Sequence, residues 1–197
     1  MSAPVDPRDE LLDVVDDDDR VLGQARREDV YARRLRHRTV MVVVRNPAGQ
    51  VLVHRRTASK LIAPSMHDMM IGGVVGAGES YDACAAREVA EEVGVTGARL
   101  RRALAFRLDL DDDRVPPQWV TGYETTWAGP IVPQESEIAW WTWLDEAELD
   151  RRLAAGTEEY CPDSVEAWRR LREAGPQGSR PSSAGEQPGR AGTIDEG

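Results

Sequence analysis

Apolar residues fall into short runs along this chain, and the spacing inside each run predicts its element. Residues 38–45, RTVMVVVR, are valine-rich with no polar break, the pattern of a strand covered on both faces. Asn46-Pro47-Ala48-Gly49 reads as a turn, and residues 51–55 resume with alternation, so the two runs predict a hairpin. Upstream, residues 11–15 and 20–24 flank Asp16, Asp17, Asp18 and Asp19 and predict an N-terminal hairpin with a solvated acidic turn. Residues 26–36 read as one short helix. Residues 57–66 are irregular and broken by Pro64, and residues 68–75 contain a further apolar strand that ends among glycines. Residues 80–93 carry helical punctuation: Ser80 caps the start, Asp82 suits the first turn, and Gly94 supplies the left-handed end. Strand-like stretches follow at 98–110, 118–127 and 137–144, then helices at 145–155 and 164–174. From Gly175 the composition turns to Gly, Pro, Ser and Gln. The expected organisation is a flexible 1–10, one α/β domain over 11–174, and a disordered tail over 175–197.

Composition narrows the function classes. A length of 197 residues suits one domain with a real core. No apolar run is long enough to span a bilayer, and the acidic N-terminus has no secretory pattern, so the expected location is the cytoplasm. Two cysteines, Cys84 and Cys161, do not make a disulfide framework. A formal net charge of −10 opposes nucleic acid and anionic membranes as partners. It also opposes a polyphosphate substrate unless a bound cation reverses the local field.

The helix at 80–93 offers a place for that cation. At 100° per residue Glu88, Glu91 and Glu92 share one sector, while Ala83, Ala86, Val89, Ala90 and Val93 form an opposite, small-residue face fit to press on a sheet. Like charges at this spacing repel, a cost that a solvated face bears easily and that a bound Mg²⁺ or Mn²⁺ would also offset. Arg87, four residues before Glu91, is placed to orient a glutamate. Gly72, Gly73, Gly76 and Gly78 form a loop into the helix N-terminus, where backbone can approach a ligand closely.

The segment resembles the Nudix box, G-x5-E-x7-R-E-U-x-E-E-x-G-U with U a bulky aliphatic residue. Gly73, Glu79, Arg87, Glu88, Val89, Glu91, Glu92, Gly94 and Val95 match it at every fixed position. The resemblance covers about residues 11–174 and implies an α/β/α sandwich with a mixed central sheet. It implies hydrolysis of a diphosphate bond in a nucleotide or nucleoside-diphosphate-linked substrate, with Mg²⁺ as cofactor and Mn²⁺ able to substitute. It further implies that Glu88 and Glu92 are the principal metal ligands, that Glu91 assists, that the Gly73 carbonyl completes the set, that Arg87 orients a glutamate and that Glu79 supports it. The general base stays open among box glutamates and Glu124, Glu135 and Glu137. Arg55 and Arg56 are candidate phosphate contacts, and Trp119, Tyr123 and Trp127 candidate base-stacking residues, while Trp140, Trp141 and Trp143 are expected to pack in the core or along helices. Dimers are common among similar proteins, which makes a homodimer an expectation.

The flanks are similar to a particular branch, that of isopentenyl-diphosphate isomerase. The stretch DVVDDDDRVLGQARRE, the run Leu35-Arg36-His37-Arg38 and the run Tyr160-Cys161-Pro162-Asp163-Ser164 carry that likeness. The isomerase cysteine position is Gly72 here, and its histidine positions are Val74 and Val30. These departures, with the intact Arg-Glu-x-x-Glu-Glu core, favour hydrolysis over isomerisation. His37 then reads as a structural residue at a strand start.

Overall fold

The computed structural model describes residues 6–175; the expected tail from 176 onward and residues 1–5 lie outside them. The N-terminal hairpin is β1 (Leu11–Val15) and β2 (Val21–Arg26), antiparallel with Leu11 opposite Arg26. Ahead of it, where a flexible segment was expected, Pro7–Asp9 is a 3-10 turn capped by Asp6, and Asp9 pairs with Arg26. The acidic turn organises itself: the Asp16 carboxylate accepts from the Asp18 and Arg20 amides, and Asp19 ties to Arg38 at 2.6 Å. Helix α1 (Arg27–Ala32) leads into β3 (His37–Arg45), and the Asn46–Gly49 turn into β4 (Val51–Arg56).

The strand expected within 68–75 is present at Ile71–Val74, and a separate two-residue strand precedes it. β5 (His67–Asp68) pairs with β4, and β6 (Ile71–Val74) pairs with β3. Asp68 Oδ1 accepts the Met70 amide at 2.8 Å, which turns the chain between the two pairings. Helix α2 (Tyr81–Val93) follows, then β7 (Arg101–Leu108), β8 (Gln118–Thr126), β9 (Ile138–Leu144), α3 (Glu146–Ala155) and α4 (Pro162–Ala174).

β3 is the spine. It runs parallel to β8, from His37↔Gln118 to Arg45↔Thr126, and antiparallel to β6, with Val40 opposite Gly73. Its side chains alternate between two cores, as strand geometry requires. Val40, Val42 and Val44 pack with Cys84, Ala85, Val89 and Val93 of α2, whereas Met41 and Val43 pack with Leu149 of α3 and Ala167 and Trp168 of α4. Helices therefore cover both faces of a mixed sheet, the expected α/β/α sandwich. The buried face of α2 differs in detail from the expected one. Cys84, Ala85, Val89, Glu92 and Val93 are buried, while Ala83 and Ala86 are exposed. The docking angle rolls the helix toward Cys84, whose thiol donates to the Val74 carbonyl at 3.3 Å, and carries Glu92 inside.

Two histidines are buried in this frame. Burial pushes the imidazoles of His37 and His54 down to about 4, so both are neutral at pH 7. The unfolded chain protonates them near 6.5, so their contribution to stability is present above that pH and is lost as pH falls toward 4. Each is worth at most about 3 kcal/mol. Asp163, pushed up to about 6 by burial and by Asp68, runs the opposite way across the same window. Comparison at each pH therefore isolates the histidine: urea melts of His54→Leu are expected to lose less stability than wild type between pH 7 and pH 4. Parallel loss in both proteins would contradict this.

Candidate active site

A cleft of about 750 Å³ opens along β6, between Gly72 and Gly73, the C-terminal half of α2, residues 59–62, and Gln134, Ser136 and Glu137. The helix that serves it starts and stops as its sequence dictates. Ser80 Oγ accepts the Ala83 amide at 3.2 Å, and Gly94 closes the helix at φ 72°. Glu79, just before the cap, grips the loop and the helix together. Its carboxylate accepts the Gly76 amide at 3.0 Å and both Nε and Nη2 of Arg87 at 3.0 Å. Burial works against the charge on Glu79, but these bonds outweigh it and hold the carboxyl below its ordinary range.

Arg87 spends its remaining nitrogen on Glu88, at 2.7 Å, and on Glu91, at 3.3 Å. Glu88 lies directly over Gly73. A Cβ at that position would sit 2.6 Å from Glu88 Oε1, so the carboxylate occupies the space a side chain would fill. Burial pushes Glu88 up, against the opposing pull of Arg87. Glu92 is only 6% exposed and is pushed up to about 7, first by burial and then by Glu88 and Glu137, against Lys60. Lys60 Nζ is 3.3 Å from Glu92 and pairs directly with Glu137.

The cleft thus joins Gly73, Glu88, Glu91 and Glu92 with Arg87, Arg56, Lys60 and Glu137. Glu91 is the outermost of the three glutamates, with an exposed side chain turned to Arg87. Arg56 enters the wall beside Asp68, at 3.6 Å, but Arg55 points away and donates to the Ser65 carbonyl. Of the three glutamates outside the box, Glu137 borders the cleft and Glu124 and Glu135 do not; Glu124 pairs with Arg45 and Arg101. The expected base-stacking residues are absent from its walls. Tyr123 is buried and donates to Asp82, Trp119 donates to the Asp16 carbonyl and Trp127 to the Pro130 carbonyl. Trp141 and Trp143 pack against the α2-side core, whereas Trp140 is exposed. Lys60 was missed by sequence reasoning. Its signal was present: it is the sole lysine in a chain whose other cations are arginines. Gly72 admits no side chain, since a Cβ there would meet the Val40 carbonyl oxygen at 2.0 Å.

The donor set facing the cleft is oxygen, and it carries more negative than positive charge. Among the described residues no three acidic, imidazole or thiol groups already converge on one ion. The half-buried Glu88 and buried Glu92 carboxylates beside an open backbone nevertheless suit a hard cation that keeps waters and phosphate oxygens in its shell. The fork between Arg87 and Glu79 fixes that shelf. Arg87→Lys is expected to lower kcat about 10- to 100-fold, because an ammonium cannot hold both Glu79 oxygens and Glu88 together. Steady-state kinetics with saturating metal checks it.

An α/β/α sandwich with a glycine loop, a capped helix and an acidic shelf at one cleft is the framework of a phosphoanhydride-cleaving enzyme. The chain belongs to the Nudix family: the NUDIX domain matches residues 35–163. It is 51% identical over 172 residues to an uncharacterized Nudix hydrolase of Streptomyces coelicolor, covering 87% of this chain and 93% of that one. It is 35% identical over 158 residues to the uncharacterized Nudix hydrolase YfcD of Escherichia coli K12, covering 80% and 84%. A crystal structure from Deinococcus radiodurans superposes with a TM-score of 0.71 at 29% identity, covering 82% of this chain and 99% of that chain. The NUDIX domain of Shewanella oneidensis NrtR, solved with ADP ribose, shares the fold with a TM-score of 0.55 at 17% identity, covering 69% and 86%. The protein is a Nudix pyrophosphohydrolase. Among the described residues, no helix is long and apolar enough to cross a membrane.

Proposed function

We propose that the chain hydrolyses the diphosphate bond of a nucleotide or nucleoside-diphosphate-linked substrate at this cleft, with Mg²⁺, or Mn²⁺ in its place, held by Glu88, Glu92 and the Gly73 carbonyl. The observation that carries the reading is the seating of the Glu88 carboxylate on Gly73 beside the buried Glu92. A divalent cation bound there would supply charge neutralisation at the phosphate oxygens and a more acidic water. Glu91 adds negative charge at the mouth. Arg87 and Glu79 hold the shelf in register. Arg56 and Lys60 offer cations to the phosphates from the opposite wall, while Arg55, turned away, is not assigned that role. Glu137 is the candidate outside the box that borders the cleft, which supports reading it as the group that accepts a proton from attacking water. Gly72, with no space for a side chain, supports hydrolysis over the cysteine-dependent isomerisation that the flanking sequence suggests.

The test is a panel of diphosphates, including ADP-ribose, nucleoside diphosphate sugars, nucleoside triphosphates and isopentenyl diphosphate, with products identified by mass spectrometry in Mg²⁺ and in Mn²⁺. Cleavage at a diphosphate bond is expected. Isomerisation of isopentenyl diphosphate, or no cleavage of any member, would overturn the reading.

A further inference from the structure

Beyond the acidic shelf, the cleft runs past β6 to the first residues of β3 and β8. There Thr39 Oγ1 donates to Gln118 Oε1 at 2.8 Å. Gln118 is 4% exposed, Thr39 is 7% exposed, and both border the cleft. Thr39 stands opposite Val74, one residue beyond Gly73, so the pair adjoins the shelf in register but faces the other side of the sheet. A primary amide has two donor hydrogens besides its oxygen. Thr39 satisfies the oxygen; among the described residues, Gln118 Nε2 meets no acceptor. Gln118 is buried except for a small exposed fraction and borders the cleft, so an acceptor for this donor can come from the cleft side. A hydrocarbon filling that space would leave the donor unpaired. An acceptor on a substrate would complete it.

We propose that Gln118, held by Thr39, is a specificity residue that donates a hydrogen bond to the group attached to the diphosphate, and that this group is polar and acceptor-bearing rather than a hydrocarbon. The inference rests on the hydrolase reading of the cleft. Sugar hydroxyls and heterocycle carbonyls share the required chemistry.

Kinetics on the full chain test it, using nucleoside diphosphate sugars, nucleoside triphosphates, prenyl diphosphates and methyl diphosphate as probes. Wild type is expected to favour a polar class over prenyl diphosphate. Gln118→Met keeps the side-chain length but removes the donor. It is expected to raise KM for the favoured polar substrate about 10- to 100-fold, with kcat nearly unchanged and methyl diphosphate turnover unaffected. Thr39→Val frees the amide to rotate and is expected to shift the same ranking in the same direction; it serves if the Gln118 variant does not fold. Replacing the nucleoside sugar's hydroxyls by deoxy analogues, or the base carbonyl by hydrogen, separates the two acceptors: the analogue lacking the recognised group loses its advantage in wild type only. Wild-type preference for prenyl diphosphate, or an unchanged ranking in folded variants, overturns this inference and leaves the hydrolase reading standing. Failure of wild type on every probe overturns both.

Discussion

Glu92→Gln is expected to lower kcat about a thousandfold or more while leaving a folded protein. The carboxylate is 6% exposed and lies on the cleft beside Glu88. Its charge is disfavoured by burial and by Glu88 and Glu137, which is why its pKa rises to about 7. A chain that buries such a group without a full set of partners carries a cost that a neutral isostere relieves. For an acid with a raised folded pKa, that cost grows as pH climbs from 4.5 toward 7 and is complete above it. The variant should therefore melt at the same temperature as metal-free wild type or higher at pH 8, with activity all but gone. Activity near wild type in a folded variant would remove Glu92 from the site. Collapse of the fold would mean that its bond to Lys60 matters more than its desolvation.

Gly73→Ala should be nearly as damaging to turnover, for a steric reason. The new methyl would lie 2.6 Å, 2.8 Å and 2.9 Å from Oε1, Cδ and Oε2 of Glu88. Those atoms end a flexible side chain, so the fold yields easily, with a stability change within about 1 kcal/mol. The carboxylate must nevertheless leave its seat and strain its 2.7 Å bond to Arg87. Displacement of a site group by a fraction of an ångström to an ångström costs on the order of a hundredfold in kcat. Gly72→Ala provides the contrast. Its methyl would meet the Val40 carbonyl oxygen at 2.0 Å, a backbone atom fixed in the β3–β6 pairing, so stability and not only activity should fall. Thermal melts and kcat for both variants separate the two cases. Equal stability losses would contradict the distinction.

The elements were legible because local rules and tertiary packing agree in them. The run of valines in β3 needed both faces covered and found two cores; Ser80 and Gly94 bound α2 where capping chemistry places them. The box residues were legible as a set, since their spacing reflects one rigid loop and helix. What the helical wheel could not supply was the docking angle. Small residues such as Ala83 and Ala86 are tolerated on either side of a helix, so their positions did not fix which face is inside, and Glu92 went in instead. Long-range placement was equally hidden. Lys60 reaches Glu92 across 32 residues, and Gln118 meets Thr39 across 79. Arg55 and Arg56 are neighbours in sequence, yet strand alternation sends one to solvent and the other to the cleft. Trp119 and Trp127 were plausible base-stacking residues until their indole donors were matched to carbonyls elsewhere.

The shelf formed by Gly73, Glu88 and Glu92 is the centre of this account, and anomalous scattering from Mn²⁺-soaked crystals tests it most directly. The account predicts a strong peak about 2.1 Å from the Glu88 and Glu92 carboxylates and the Gly73 carbonyl. Strong peaks elsewhere, with none on that shelf, would contradict it.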